Sequence, residues 1–299
     1  MKQLLLGNAA VARGLYEAGC QIISSYPGTP STEITEEAAK FKEIYCEWAP
    51  NEKVAVETAF GAALAGKRAF AGMKHVGLNV AADPLYTASY AGVNAGFVVG
   101  VADDPGMHSS QNEQDSRHHA IASKIPMIEP SDSQESIDFI KLAYEMSEKF
   151  DTPVLFKMCT RIAHSQSIAE TGERNEQPVK PYVKNIQKNV MTPANAIRKH
   201  PIVEQRNKDI AVWSESCGLN KVELCGSSKI GIITHSTSYQ YVKEVFGDKV
   251  NVLKLGLVNP LPENMIRDFA SKVEILIVVE ELDPIIEDFC RTLGLKNEI

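Results

Sequence analysis

The 299-residue chain has little with which to build anything other than an ordinary folded enzyme or binding domain. Aromatic residues make up only 7% of it, and there are two tryptophans. No hydrophobic run reaches the length needed to cross a bilayer, and the amino-terminal MKQLLLGNAA lacks the core and cleavage pattern of an export signal. These absences lead to the expectation of a cytoplasmic protein with no membrane partner. The six cysteines, Cys20, Cys46, Cys159, Cys217, Cys225 and Cys290, include no C-x-x-C pair. They therefore form neither an iron–sulfur ligand set nor a disulfide framework, which a chain of this size does not need. A formal net charge of −7 argues against nucleic acid as a partner.

What is present is an α/β rhythm. Short apolar runs at residues 21–23, 69–73, 96–101, 127–129 and 154–158 read as strands, separated by helical patterns at 9–18, 53–64, 85–94 and 133–150. Strands and helices alternating at this spacing imply a mostly parallel sheet with helices on both faces. The rhythm lapses between 168 and 228, a polar stretch with one plausible helix, whose Val183, Ile186, Ile197 and Trp213 are the expected anchors. It returns with strands at 230–234, 251–255 and 275–280 and helices at 238–246, 263–271 and 284–293. The organisation expected is a domain at 1–167, a connector at 168–228 and a smaller α/β domain at 229–299.

Three polar stretches follow strands of the first sheet, and the carboxyl ends of parallel strands are where ligands bind. SSYPGTPSTEI at 24–34 turns sharply at Tyr26-Pro27-Gly28 and then resembles a helix start, with Thr29 or Ser31 as cap and Glu33 in the first turn. Alone it reads equally as a well-capped helix. KHVGLN, read as a turn, places Lys74 and His75 after the next strand. DDPGMHSSQNEQDSRHHA carries His108, Arg117, His118 and His119 in a loop too long for simple connection. Metal ligation by these histidines is disfavoured, because His118 and His119 are adjacent and no cysteine accompanies them. Glu52 opens the helix EKVAVETAFGAALAG, whose Ala55, Ala59, Ala62, Ala63 and Gly61 or Gly66 permit close approach by another helix or a flat ligand. An acidic residue in a first helical turn also simply complements the helix dipole.

These residues carry a resemblance. YPGTPSTEI is similar to the Y-P-x-T-P-S-[ST] stretch of the 2-oxoacid:ferredoxin oxidoreductases. NEKVAVETAFGAALAGKRAFAGMKHVGLNVAADPL, HSTSYQYVKE, VLKLGLVNPLP and VVEELDP resemble the indolepyruvate branch of that family, so the resemblance covers nearly the whole chain. It implies a thiamine-diphosphate-binding fold, in which 1–167 is the pyrimidine-binding domain and 229–299 a transketolase C-terminal-like domain.

It further implies oxidative decarboxylation of an arylpyruvate such as indolepyruvate, with coenzyme A as acyl acceptor and ferredoxin as electron acceptor. Phenylpyruvate, a branched-chain 2-oxo acid, pyruvate, or a non-catalytic thiamine-fold module are the alternatives. In thiamine enzymes a glutamate standing nine residues before the first glycine of the small-residue helix hydrogen-bonds the aminopyrimidine ring. Counting back from Gly61 gives Glu52, with Glu57 as the rival. Thr29 matches the threonine that faces the substrate carboxylate. Arg117 is the expected charge there, with Lys74 and His75 as further substrate contacts. Tyr26, Pro27, Gly28, Gly77 and Asn79 complete the expected cofactor contacts. Gly28 departs from the isoleucine of pyruvate-specific relatives. The magnesium-binding G-D-G…N segment is represented only by Gly247-Asp248-Lys249. Mg²⁺ and 4Fe-4S clusters are therefore expected in diphosphate-binding and ferredoxin-like domains or subunits elsewhere, alongside a smaller companion subunit and an oligomeric assembly. Alone, the chain is expected to be inactive.

Overall fold

The computed structural model describes residues 1–226 and 228–297. Seven strands form the main sheet, in the order Leu257–Asn259, Met127–Ile128, Val154–Cys159, Phe97–Asp103, Ala69–Lys74, Ile22–Ser25 and Tyr45–Trp48. All pairings are parallel except that of the Leu257–Asn259 edge. The central strands read as nearly unbroken apolar runs because both faces are covered. Along Phe97–Asp103, Val98 joins a core with Phe70, Phe156 and Leu15, while Phe97, Val99 and Val101 join the opposite core with Met73 and Leu85.

Two of the helix starts that frame the first sheet are fixed by side-chain caps. Asn51 accepts the Val54 N–H at 3.0 Å and opens Glu52–Leu64, and Asp132 accepts the Glu135 N–H at 2.8 Å and opens Ser133–Phe150. The Glu52–Leu64 helix buries Ala55 and Ala59 completely inside its own domain. Those two residues are thus unavailable for the contact across a domain or subunit boundary that the resemblance leads one to expect of the small-residue face at Ala55, Ala59 and Ala62.

The two domains are less separate than the sequence divides them. The second sheet runs Ile275–Val279, Ile230–His235, Asn251–Leu255 and Lys221–Glu223, so its last strand comes from the connector. Leu257–Asn259 leaves that domain to pair with Met127–Ile128 of the first sheet. Residues 227, 298 and 299, within the expected connector and second domain, lie outside the described residues.

The connector holds a 22-residue helix, Pro193–Ser214, and of its expected anchors Trp213 packs on the core while the others do not. Val183, Ile186 and Ile197 are exposed, whereas Val203, Ile210 and Arg206 are buried, and Trp213 packs edge-on against Phe150. Upstream, Lys180 N–H donates to Gly66 O at 2.9 Å, and a Cβ at Gly66 would meet Lys180 O at 1.8 Å. With φ +95 at Gly66, the close approach and the backbone conformation both need glycine.

Candidate functional site

Four neighbouring strands of the parallel sheet, Tyr45–Trp48, Ile22–Ser25, Ala69–Lys74 and Phe97–Asp103, deliver their following segments to one edge. The segment after Ile22–Ser25 is tightly folded. Gly28 N–H donates to Thr32 Oγ1 at 2.8 Å, and Ser31 Oγ donates back to Gly28 O at 2.8 Å. Ser31 occupies the cap position of Thr32–Ala38, yet its hydroxyl closes this turn and caps no helix N–H. Thr29, next to a cis Thr29–Pro30 peptide, is exposed on the edge, as is Pro27, with Tyr26 and Gly28 half-buried. Asn8, 1% exposed, holds the segment from beneath by donating to Pro30 O at 2.8 Å and Glu33 Oε2 at 3.0 Å. Sequence reading missed Asn8, since its partners lie more than twenty residues away.

KHVGLN is not a turn: His75–Val80 is a short helix. This helical geometry brings Gly77 against Glu52. A Cβ at Gly77 would sit 2.5 Å from Glu52 Oε1 and 2.8 Å from Cδ. The Glu52 side chain is enclosed, with the residue 9% exposed, yet its carboxylate has no hydrogen-bond or ion-pair partner among the described residues. A largely enclosed carboxylate without a protein partner is uncommon in a folded chain and makes Glu52 the candidate ligand contact at this edge. Glu57, the rival, is exposed and faces Lys53 at 4.0 Å. Only Glu52 is at the edge.

The 104–116 loop closes over this helix. Lys74 Nζ donates to Ser109 O at 2.9 Å, and its stem packs 3.1 Å from where a Gly28 Cβ would stand. His75 is buried, with Nε2 3.1 Å from Asn112 O and Nδ1 unpartnered among the described residues. Asn79 donates to Gln114 Oε1 at 2.9 Å, and its Oδ1 lies 3.0 Å from His119 Nε2. The loop is pinned by Asp104, which accepts from Ser109 N, Ser110 Oγ and Thr160 Oγ1 at 2.7–2.8 Å. Burial alone would raise this carboxyl, but those hydrogen bonds outweigh it and, with Lys74, lower it to about 2. Tyr26, Pro27, Gly28, Thr29, Glu52, Lys74, His75, Gly77 and Asn79 are thus brought to one edge.

Arg117 is not among them, which corrects the expectation that it meets a substrate carboxylate. It is completely buried and chelates Asp115, with Nη1 2.7 Å from Glu280 Oε2 and Nη2 2.8 Å from the carbonyls of Glu281 and Asp283. Its charge ties the loop to the second domain. His118 likewise pairs with Asp283 at 2.7 Å. Among the described residues no cluster of three or more His, Cys, Asp or Glu side chains is placed to hold a metal.

The family model described as pyruvate flavodoxin/ferredoxin oxidoreductase, thiamine diphosphate-binding, matches residues 13–214. The indolepyruvate oxidoreductase subunit IorA of Archaeoglobus fulgidus is 44% identical over 308 residues, which cover 99% of this chain and 49% of the relative. Its counterpart from Pyrococcus horikoshii is 41% identical and covers 100% of this chain and 48% of the relative. This chain therefore spans about half the length of the curated relatives it matches. The structure of 2-oxoglutarate:ferredoxin oxidoreductase from Magnetococcus marinus superposes with a TM-score of 0.82 at 19% identity, covering 99% of this chain and 61% of that one. The likeness at that identity is one of fold, and the expected α/β thiamine-diphosphate-binding architecture is borne out.

Proposed function

The chain belongs to the thiamine-diphosphate-binding family of the pyruvate flavodoxin/ferredoxin oxidoreductases, and from that premise we propose that it contributes the pyrimidine-binding side of the cofactor site in an enzyme oxidising arylpyruvates such as indolepyruvate. The single observation that carries this reading is the partnerless Glu52 carboxylate, enclosed against Gly77. Gly77 lets the Glu52 side chain pack directly against the backbone of the His75–Val80 helix, which fixes the carboxylate in one place, where it can accept a hydrogen bond from a nitrogen of a heteroaromatic ring. Thiamine diphosphate, when bound, supplies the carbon nucleophile and the electron sink that decarboxylating a 2-oxo acid requires.

The chain's own residues have definable tasks. Glu52 holds a ring nitrogen by a strong hydrogen bond and keeps the proton at that nitrogen. Thr29 offers a hydroxyl at the same edge, and the Lys74 ammonium supplies the positive charge for a substrate carboxylate that Arg117 cannot. The 104–116 loop, pinned by Asp104, limits access of water from one side. Similarity at 41–44% identity to subunits named for indolepyruvate favours that substrate class. Coenzyme A and ferredoxin complete the balance as acyl and electron acceptors. Mg²⁺, iron–sulfur clusters and a companion subunit are assigned to the rest of an oligomeric assembly. Six free cysteines accord with a reducing, cytoplasmic setting.

Turnover by the assembled complex tests the reading, using a panel of 2-oxo acids with coenzyme A and ferredoxin. Indolepyruvate and phenylpyruvate should be oxidised with the highest kcat/KM. A preference for a branched-chain acid overturns the substrate class, and failure with every 2-oxo acid overturns the enzymatic reading.

A further inference from the structure

At the opposite end of the first domain, the Ala82–Ala91 and Ser133–Phe150 helices end shortly before the strands Phe97–Asp103 and Val154–Cys159 begin. They lie there at the amino-terminal edge of the sheet, away from Glu52. Together with Pro193–Ser214 they border an open cavity of about 450 Å³, lined by Tyr90, Lys149, Asp151, Lys199, Gln205 and Arg206, among others. That volume lies in the range of small-ligand sites.

The charges around it do not balance. Arg206 is 7% exposed, and its hydrogen bonds go only to neutral acceptors: Ser89 O at 2.7 Å, Ser89 Oγ at 3.1 Å and Asp151 O at 3.0 Å. Its Nε has no partner among the described residues. Burial lowers the Arg206 guanidinium to about 10, and burial also lowers Lys199. Lys199 has no ion-pair partner among the described residues, and Lys149 lies over the rings of Phe150 and Trp213. Two carboxylates also border the cavity. Asp151 is occupied by Lys188 at 2.8 Å and by Val93 N–H, and Asp209 accepts from Gln205 at 2.8 Å. Of these cations only Arg206 is buried; the charge of Asp151 acts on it and on Lys199, but no carboxylate is hydrogen-bonded to the Arg206 guanidinium, so its compensation is incomplete.

We propose that this cavity is an oxyanion site that takes a phosphate-bearing ligand, held by Lys199 and Lys149 with the Arg206 guanidinium as the fixed charge behind them. Phosphate suits the setting because it gains from several cations at once and has acceptor oxygens for each. The proposal is independent of the arylpyruvate reading, since it concerns another edge of the sheet and no step of the oxidation.

Phosphorus NMR of inorganic phosphate, titrated against the full-length chain at fixed ionic strength, tests it. The phosphate signal should broaden saturably with the parent protein. The dissociation constant should rise about tenfold or more in Lys199→Gln, a change of about 1.4 kcal/mol, with far-UV circular dichroism reporting an unchanged fold. Arg198→Gln, which removes a neighbouring charge outside the cavity lining, should bind like the parent. A second arm replaces phosphate with adenosine monophosphate. Tighter binding of the nucleotide, still dependent on Lys199, identifies a nucleotide site, whereas equal binding identifies a site for the phosphate group alone. Absence of broadening with the parent, equal binding by Lys199→Gln, or equal losses in Lys199→Gln and Arg198→Gln overturns the proposal.

Discussion

Glu52 and Glu57 sit five positions apart on one helix and have opposite surroundings. Glu52 is 9% exposed and partnerless among the described residues, whereas the Glu57 side chain is 51% exposed beside Lys53. In the assembled enzyme, Glu52→Gln should retain much of the cofactor affinity but lose roughly 10²- to 10⁴-fold in kcat, the usual worth of a positioned acid–base group. Glu57→Gln should stay near the parent rate. Steady-state kinetics on both variants checks the assignment, and the reverse order would overturn it. Gly77 is the complementary case. Gly77→Ala forces a methyl group to 2.5 Å from Glu52 Oε1, so one side must move. The overpacking should cost about 1–3 kcal/mol, appearing as about a tenfold or greater loss of thiamine diphosphate affinity by calorimetry on the complex.

Among the elements, the Pro193–Ser214 helix shows how position on a helix outweighs residue type. Ile197 and Ile210 carry the same side chain, yet Ile197 is 74% exposed and Ile210 is fully buried in the core that includes Tyr144 and Phe150. Ile210→Ala should destabilise the chain by about 2–5 kcal/mol, while Ile197→Ala should change stability by no more than about 0.5 kcal/mol. Urea midpoints at constant m-value separate the two. Equal costs would show that the helix packs through its other face.

For the whole molecule, the decisive feature is a buried ionic seam between the domains. Lys157 of the first sheet lies 2.6 Å from Glu129 and 3.7 Å from Asp103, and Glu129 in turn lies 2.7 Å from His235 of the second sheet. Burial would raise Glu129, but Lys157 and His235 outweigh it and hold its carboxyl well below the usual range. Lys157→Met leaves two buried carboxylates without their ammonium partner and should cost about 3–5 kcal/mol in urea unfolding. Acid titration should expose two further pinned carboxyls. Asp104 and Glu148 are lowered to about 2 from ordinary values of 3.8 and 4.5, Asp104 by the hydrogen bonds named above and Glu148, against the effect of its burial, chiefly by Arg68 and Lys180. Their folded-state values lie below the unfolded ones, so the stability they contribute is present above about pH 4.5 and is lost as pH falls toward 2. Thermal midpoints should therefore decline across that window, and a flat profile would contradict the placement of both groups.

The alternation of apolar runs with helical patterns gave the inner strands of the parallel sheet, because strands buried on both faces must be apolar almost throughout. It did not give the edges at Tyr45–Trp48 and Leu257–Asn259, where burial is partial or the partner is distant. Glu52 was legible as the start of its helix, which the Asn51 cap confirms, but its choice over Glu57 came from the family resemblance and the spacing to Gly61. The turn at Tyr26-Pro27-Gly28 and the loop beyond Asp103 were likewise legible locally. Contacts between distant positions left no local trace. Arg117 reads as a loop cation, yet only the packing of the second domain 163 residues later draws its guanidinium to Glu280 and away from the candidate site. Asn8 beneath Pro30, Gly77 against Glu52 and the crossing of Leu257–Asn259 into the first sheet are of the same kind. Sequence determined the elements and the edge at which chemistry can occur, since periodicity and capping are local. Tertiary structure decided which charges face that edge, because burying an ion requires partners that the chain supplies from far away.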